Sequence, residues 1–201
     1  MPRLRKDERA QSMAETRERI LDASAAAFAA LGYDKANVNH IARDAGLSIG
    51  TVYNYFPSKR DLMLAFIEET SQLHVSSIIE QVMLEEDPER RIEIFFQAGF
   101  AFVEDHVTPS RAIFNALNGP DEDFKAQLFA AYQPLFQLLG ESVLGQGIAR
   151  NLFRQLDPGR TANLLMLIYL GACSQLSPEG KPWVGAGQVS EFVLHAVRQL
   201  G

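Results

Sequence analysis

Between Ser48 and Pro57 this 201-residue chain carries no charged side chain, and the residues it does carry suit close contact with a polyanion. Gly50 and Thr51 are small enough to let a backbone approach base edges and thymine methyls, while Tyr53, Asn54 and Tyr55 can hydrogen-bond phosphate oxygens. A helix with no task at its surface normally turns Glu, Lys and Ala outward. Here Val52 and Phe56, at i and i+4, point inward, and Ile49, Gly50, Thr51, Tyr53, Asn54 and Tyr55 remain outside. The competing reading is an ordinary helical hairpin in which the tyrosines merely pack.

Two short elements must hold that face. Asn37 is a good N-cap for a helix that starts at Val38 and Asn39, and Ile41, Ala42 and Ala45 give it one apolar face that needs a cover. Gly46 stands where this helix must stop and turn, since glycine accepts the left-handed conformation. Leu47 returns to the core and Ser48 caps the second helix. Ser58 can cap a following helix, whose positive end and Lys59 ammonium would face a phosphate together. The whole reads as a helix-turn-helix presenting a helix to DNA. Upstream, Ile20, Leu21, Ala25 and Phe28 form the stripe of an amphipathic helix from about Ala10 to Leu31, ended by Gly32-Tyr33, that braces the motif. Before it, Arg3, Arg5, Lys6 and Arg9 follow no apolar period. They form either a mobile arm of the kind that enters a minor groove or a solvated tail.

From Thr16 to Leu62 the chain resembles the DNA-binding domain of the tetracycline-repressor (TetR) family of bacterial transcription regulators. The resemblance rests on Thr16-Arg17, Ile20-Leu21-x-Ala23, Phe28, Gly32-Tyr33, Ile41-Ala42, Ala45-Gly46-Leu47-Ser48-x-Gly50, Tyr53-x-Tyr55-Phe56 and Ser58-Lys59. It covers the N-terminal quarter; beyond that, only length and helical pattern agree. Two positions depart from the family. Asn37 replaces the usual threonine and keeps the cap, whereas His40 replaces an acidic residue and leaves the capping box incomplete. The resemblance implies a homodimer, usually repressing transcription from operator DNA until a small molecule binds its larger C-terminal domain. The candidate DNA contacts are Arg17, Asn37, Val38, Asn39, Ser48, Ile49, Gly50, Thr51, Tyr53, Asn54, Tyr55 and Lys59, with Asn39 and His40 tuning operator preference.

A net charge of −6 looks wrong for a DNA binder until it is divided. Residues 1–61 hold ten Lys/Arg against eight Asp/Glu, and residues 62–201 hold nine against seventeen. Phosphate contacts act within about a Debye length, roughly 8–10 Å, so the positive N-terminal sign matters more than the total. The expected division is a DNA-binding domain over 1–61 and a helical effector-binding and dimerisation domain over 62–201. The fold expected is all-α, because strand-type alternation persists nowhere.

After Lys59 the pattern predicts helices to about Leu84, from Asp87-Pro88 to His106, from Pro109, from Pro120-Asp121 to Arg150 with a kink or break at Pro134, from Asp157 to Gln175, and from Gln188 to Leu200. The Asp157–Gln175 helix is apolar nearly all round. Leu164, Leu167, Ile168, Gly171 and Ala172, with Phe192, Val193, Ala196 and Leu200 of the last helix, make a candidate four-helix dimer interface; the alternative is that both are core helices of a monomer. Nine of the thirteen phenylalanines fall between Phe95 and Phe153. With Gly99 and nearby aromatic residues they can line an apolar effector pocket, for which the candidates are Phe66, Phe96, Gly99, Phe100, Val103, Phe114, Leu117, Tyr132, Phe136, Met166, Tyr169 and Cys173. If those side chains instead fill a solid core, the C-terminal domain is a module that binds another protein.

Catalytic and cofactor chemistry finds little support. His40, His74, His106 and His195 stand in no metal-binding pair; Glu104-Asp105-His106 reads as a solvated helix end, and Gly145-Gln146-Gly147 lies inside a helical pattern. Cys173 sits in an apolar helix as a small hydrophobe and has no second cysteine to pair with. No cofactor, metal or membrane partner is expected. The first apolar segment is interrupted by Arg17, Arg19 and Asp22, and the longest apolar run, Leu164 to Cys173, is too short to span a bilayer, so a cytoplasmic protein is expected.

Overall fold

The computed structural model describes residues 6–199, with side chains from residue 8. The helices are α1 (Lys6–Lys35), α2 (Val38–Asp44), α3 (Ile49–Tyr55), α4 (Lys59–Met83), α5 (Pro88–Asp105), α6 (Val107–Asn118), α7 (Glu122–Gln137), α8 (Gln146–Ala149), α9 (Pro158–Ser174) and α10 (Ala186–Val197). Among the described residues β pairing is limited to two isolated bridges, Phe153 with Arg198 and Leu176 with Pro182. The fold is all-α, as the sequence predicts. Of the expected N-terminal arm, Arg3 and Arg5 lie outside the described residues, whereas Lys6–Arg9 already belong to α1.

The chain divides into two compact units. The first comprises residues up to Glu69 with Thr108–Gln127, and the second Thr70–Val107 with Leu128 onward. The first unit therefore extends beyond the 1–61 division expected from sequence. Two sets of polar ties explain why the later segment joins it. Asn115 donates its amide to the Phe28 and Ala29 carbonyls at 3.2 and 3.1 Å, and Arg60 donates to Asp121 at 2.9 Å and to Asp123. Asp121 also accepts from the backbone of Asp123 and Phe124, and the Arg60 guanidinium holds its carboxyl below the usual carboxylate range.

Inside the first unit Ile20, Phe28, Ile41, Val52, Leu62 and Ile67 are wholly buried. Helices α2 and α3 have only seven residues each, too few to persist alone in water, so burial of Ile41, Ala42 and Val52 holds them. The Asn37 side chain accepts from the Asn39 N–H at 2.8 Å, and Ser48 Oγ accepts from the Thr51 N–H at 3.1 Å, which start the two helices as their caps predict. Gly46 takes a φ of +67° at the turn between them.

In the second unit α5 packs against α10, and α9 against the turn that follows α7. The expected break at Pro134 does not occur there. Helix α7 continues through Pro134, and the irregularity falls one turn later as a π-helical stretch, Leu138–Gly145. Arg91, itself buried, donates to the Ser142 carbonyl of that stretch at 2.7 Å and to the Glu85 carbonyl at 2.6 Å.

Gly46→Ala tests the turn. A Cβ there would meet Arg19 Nη2 at 3.0 Å in a left-handed backbone, so the variant is expected to lose about 1–2 kcal/mol of unfolding free energy in a denaturant titration.

Candidate nucleic-acid interface

The outward surface of α2 and α3 is assembled from Asn37, Asn39, His40, Ser48, Ile49, Gly50, Tyr53 and Asn54, all exposed; Thr51 and Tyr55 are half-buried. Tyr53 keeps 43% of its surface and Ile49 37%, large values for aromatic and β-branched residues held by a folded unit. A Cβ built on Gly50 would have nothing nearer than Ser48 Oγ at 3.8 Å, so bare backbone faces outward there. The Thr51 hydroxyl is engaged with Ser48 Oγ at 2.8 Å, which orients it along the helix start. The patch is polar, uncharged on α3 and approachable to within van der Waals distance, which suits groove edges better than a protein core.

Three of the expected contacts are placed otherwise. Val38 is buried, because the first residue of α2 turns into the core rather than outward. The Lys59 ammonium, expected at a phosphate, donates instead to the carbonyls of Tyr33, Asp34 and Ala36 at 2.8, 3.2 and 3.2 Å and lies 4.5 Å from the Tyr33 ring centroid. All three of its hydrogens are thereby spoken for. Arg17 pairs with Glu69 and sits over the Phe56 ring. Arg19, which sequence reasoning passed over, donates to the Ala45 carbonyl and so caps the exposed end of α2. Its partner lies 26 residues away, so no local pattern could reveal it.

The candidate effector residues split between the units. Phe66, Phe114 and Leu117 fall in the first, where Phe66 packs on Phe28 with centroids 5.9 Å apart. In the second unit Phe96, Gly99, Phe100, Tyr132, Tyr169 and Cys173 come together as a buried cluster; Val103 and Met166 are also buried and Phe136 is half-buried. The cluster is tightly filled at its centre: a Cβ on Gly99 would lie 2.4 Å from the Tyr169 hydroxyl. His74, absent from the candidates, sits in its middle. Its Nδ1 is 2.7 Å from the Tyr132 hydroxyl, its Nε2 is 2.6 Å from the Tyr169 hydroxyl, and its ring stacks on Phe102 at 4.3 Å. A neutral imidazole donates from one nitrogen and accepts at the other, so one tyrosine acts as donor and the other as acceptor. Burial pushes the His74 pKa down to about 4, with His106 adding to the effect against a hydrogen bond to the Gly99 backbone. Burial also pushes the Tyr132, Tyr169 and Cys173 groups up, which leaves Cys173 a thiol rather than a thiolate. One turn before His74, the buried Ser71 hydroxyl has no hydrogen-bond partner among the described residues.

Of the candidate dimer residues, Leu164, Leu167 and Phe192 are each at least 60% exposed; Gly171 and Ala196 are exposed and Ile168 and Ala172 half-buried. Val193 points into its own unit's core, and Leu200 lies outside the described residues. No helix of the described residues is long and apolar enough to cross a membrane.

Residues 20–66 match the family model of bacterial regulatory proteins, tetR family. The chain is 29% identical over 167 residues to the nucleoid occlusion factor SlmA of Shewanella loihica, covering 79% of this chain and 81% of that one. Its fold is similar to that of the fatty acid degradation regulator FadR from Bacillus halodurans, with a TM-score of 0.80, 21% identity and coverage of 92% and 97%. It is also similar to FadR from Bacillus subtilis in complex with stearoyl-CoA, with a TM-score of 0.75, 17% identity and coverage of 89% and 95%.

Two outcomes follow from these placements. Lys59→Ala strands three carbonyls and is expected to cost about 1–3 kcal/mol of stability in chemical unfolding, whether or not DNA is present. His74 is neutral when folded but binds a proton in the unfolded chain below about pH 6.5. Its contribution is therefore complete above that pH and lost as pH falls through 4, about 3 kcal/mol in all. Unfolding followed from pH 7 to 4 should show a slope that is reduced in His74→Gln.

Proposed function

We propose that this chain, whose residues 20–66 match the tetR family of bacterial regulatory proteins, is a homodimeric repressor whose two α3 helices read a palindromic operator. The observation that carries the reading is the exposed, uncharged face of Ile49, Gly50, Tyr53 and Asn54 on a helix capped by Ser48. Two such helices enter successive major grooves about 34–36 Å apart, and the arginines and lysines of the first unit supply the salt-dependent part of the affinity. Dimerisation uses the apolar face of Leu164, Leu167 and Phe192, with Gly171 leaving room for a facing helix. Work of this kind on chromosomal DNA places the protein in the cytoplasm.

The effector is an apolar small molecule carrying one hydrogen-bonding group, taken into the second unit. Support comes from the unpartnered Ser71 hydroxyl beside the His74 network: an unmet buried hydroxyl costs about 1–3 kcal/mol, which a ligand's polar group would recover. The stearoyl-CoA held by the Bacillus subtilis neighbour makes acyl compounds the first class to try. Because Tyr169 fills the space beside Gly99, entry requires the aromatic cluster to rearrange. An inducer that loosens DNA must by linkage bind the DNA-bound protein more weakly by the same factor.

A second reading, in which the second unit binds a protein partner, is favoured by that same packed cluster and by Trp183, 73% exposed in the loop before α10. The two separate in a thermal-shift screen against acyl-CoAs and hydrophobic acids, where a ligand raises the melting temperature only in the first.

Selection of bound sequences from random DNA is expected to return a palindrome. Asn54→Ala, which removes a phosphate contact, should weaken binding about equally for every sequence, by roughly 10- to 150-fold, and leave the selected palindrome unchanged.

A further inference from the structure

A cleft of about 420 Å³ opens in the first unit, lined by residues of that unit alone. Its walls are Phe28 and Leu31 of α1, Met63 of α4, and Ala112, Ala116 and Phe124 of α6 and α7. Nothing in the DNA-binding reading uses it.

The sequence keeps this space open. Ala112 and Ala116 recur at i and i+4, so α6 turns small side chains toward the cleft, and Gly119 lines it just past the end of the helix. Gly32, at a φ of +71°, also lines it, and a Cβ built there would find no atom within 4 Å. The walls are held together by Asn115, whose amide is committed to the Phe28 and Ala29 carbonyls, and by the edge-to-face pair of Tyr33 and Phe124 at 4.7 Å. A volume of this size falls in the range of small-molecule sites, roughly 300–1,000 Å³.

The rim sets the class of ligand. Asp34 stands next to Lys35, and Asp121 is already paired with Arg60, so opposite charges balance around the mouth. The cations near the aromatic wall are likewise occupied, Lys59 over Tyr33 and Arg60 over Phe124. Asp34 and Lys35 bring one charge of each sign and Asp121 is neutralised by Arg60, so the rim gives neither a carboxylate nor an ammonium a net advantage, whereas the apolar walls reward an uncharged ring or short chain. We propose that the cleft between α1 and α6 is a second ligand site, which takes a neutral, mainly apolar small molecule independently of the C-terminal cluster.

The test uses indole as probe, with octanoate and octylammonium as charged comparisons, titrated into the full-length protein while the methionine methyl signals are followed by NMR. Met63→Leu assigns the wall signal, and Met166 reports on the second unit. Saturable shifts of Met63 by indole, with at least tenfold weaker response to the two charged probes, are expected. Ala116→Phe fills the cleft and should abolish the response. Leu31→Glu acts at a side chain that is 50% exposed, where folding is safe, and should weaken indole binding at least fivefold. A Met63 signal that does not move, a shift confined to Met166, or binding untouched by both variants would overturn the proposal.

Discussion

The exposed face of α3 depends on how α1 and α4 are tied together, and one ammonium group makes three of those ties. Helices α2 and α3 are each seven residues long and make too few hydrogen bonds to persist alone, so they exist as long as α1 and α4 bracket them. Lys59, the first residue of α4, closes that bracket by donating to three carbonyls where α1 ends. Ser58 fixes the same point from the other side, accepting the Asp61 N–H at 3.1 Å and donating to its carboxylate at 2.7 Å. Arg19 does for the end of α2 what Lys59 does for the end of α1. Lys59 and Arg19 are thus spent on the unit's own backbone, and α3 itself presents only uncharged side chains.

That division of labour has a physical logic. A surface that approaches base edges cannot carry long, mobile charges without losing their entropy on contact, whereas Gly50, Tyr53 and Asn54 have little to lose. Rigidity comes from caps and buried carbonyl contacts, and the contact face itself stays small.

The second unit is built on a different principle. Its centre is a histidine held neutral between two tyrosines and stacked on a phenylalanine, a polar network closed inside an apolar shell. Such a network is stabilising while every member is satisfied and costly once one is not, so the arrangement is specific to one packing. Ser71, unpartnered one turn away, marks where that satisfaction is incomplete.

Local signals were read correctly from the chain and distant ones were not. The caps at Asn37, Ser48 and Ser58, the Gly46 turn, the inward pair Val52 and Phe56, and the helix starts at Asp87-Pro88 and Asp157-Pro158 all depend on neighbours within one turn. Lys59 and Arg17 look available in sequence because their partners lie 23 or more residues away. His74 escaped for the same reason: its two tyrosines are 58 and 95 residues distant. In the sequence Pro134 suggests an irregularity, yet α7 continues through it and the π-helical stretch begins only at Leu138. The most direct measurement of the central claim is a structure of the protein bound to its selected palindrome. The account predicts α3 in the major groove with Gly50, Tyr53 and Asn54 against the DNA and Lys59 still on its three carbonyls; α3 turned away from the duplex would contradict it.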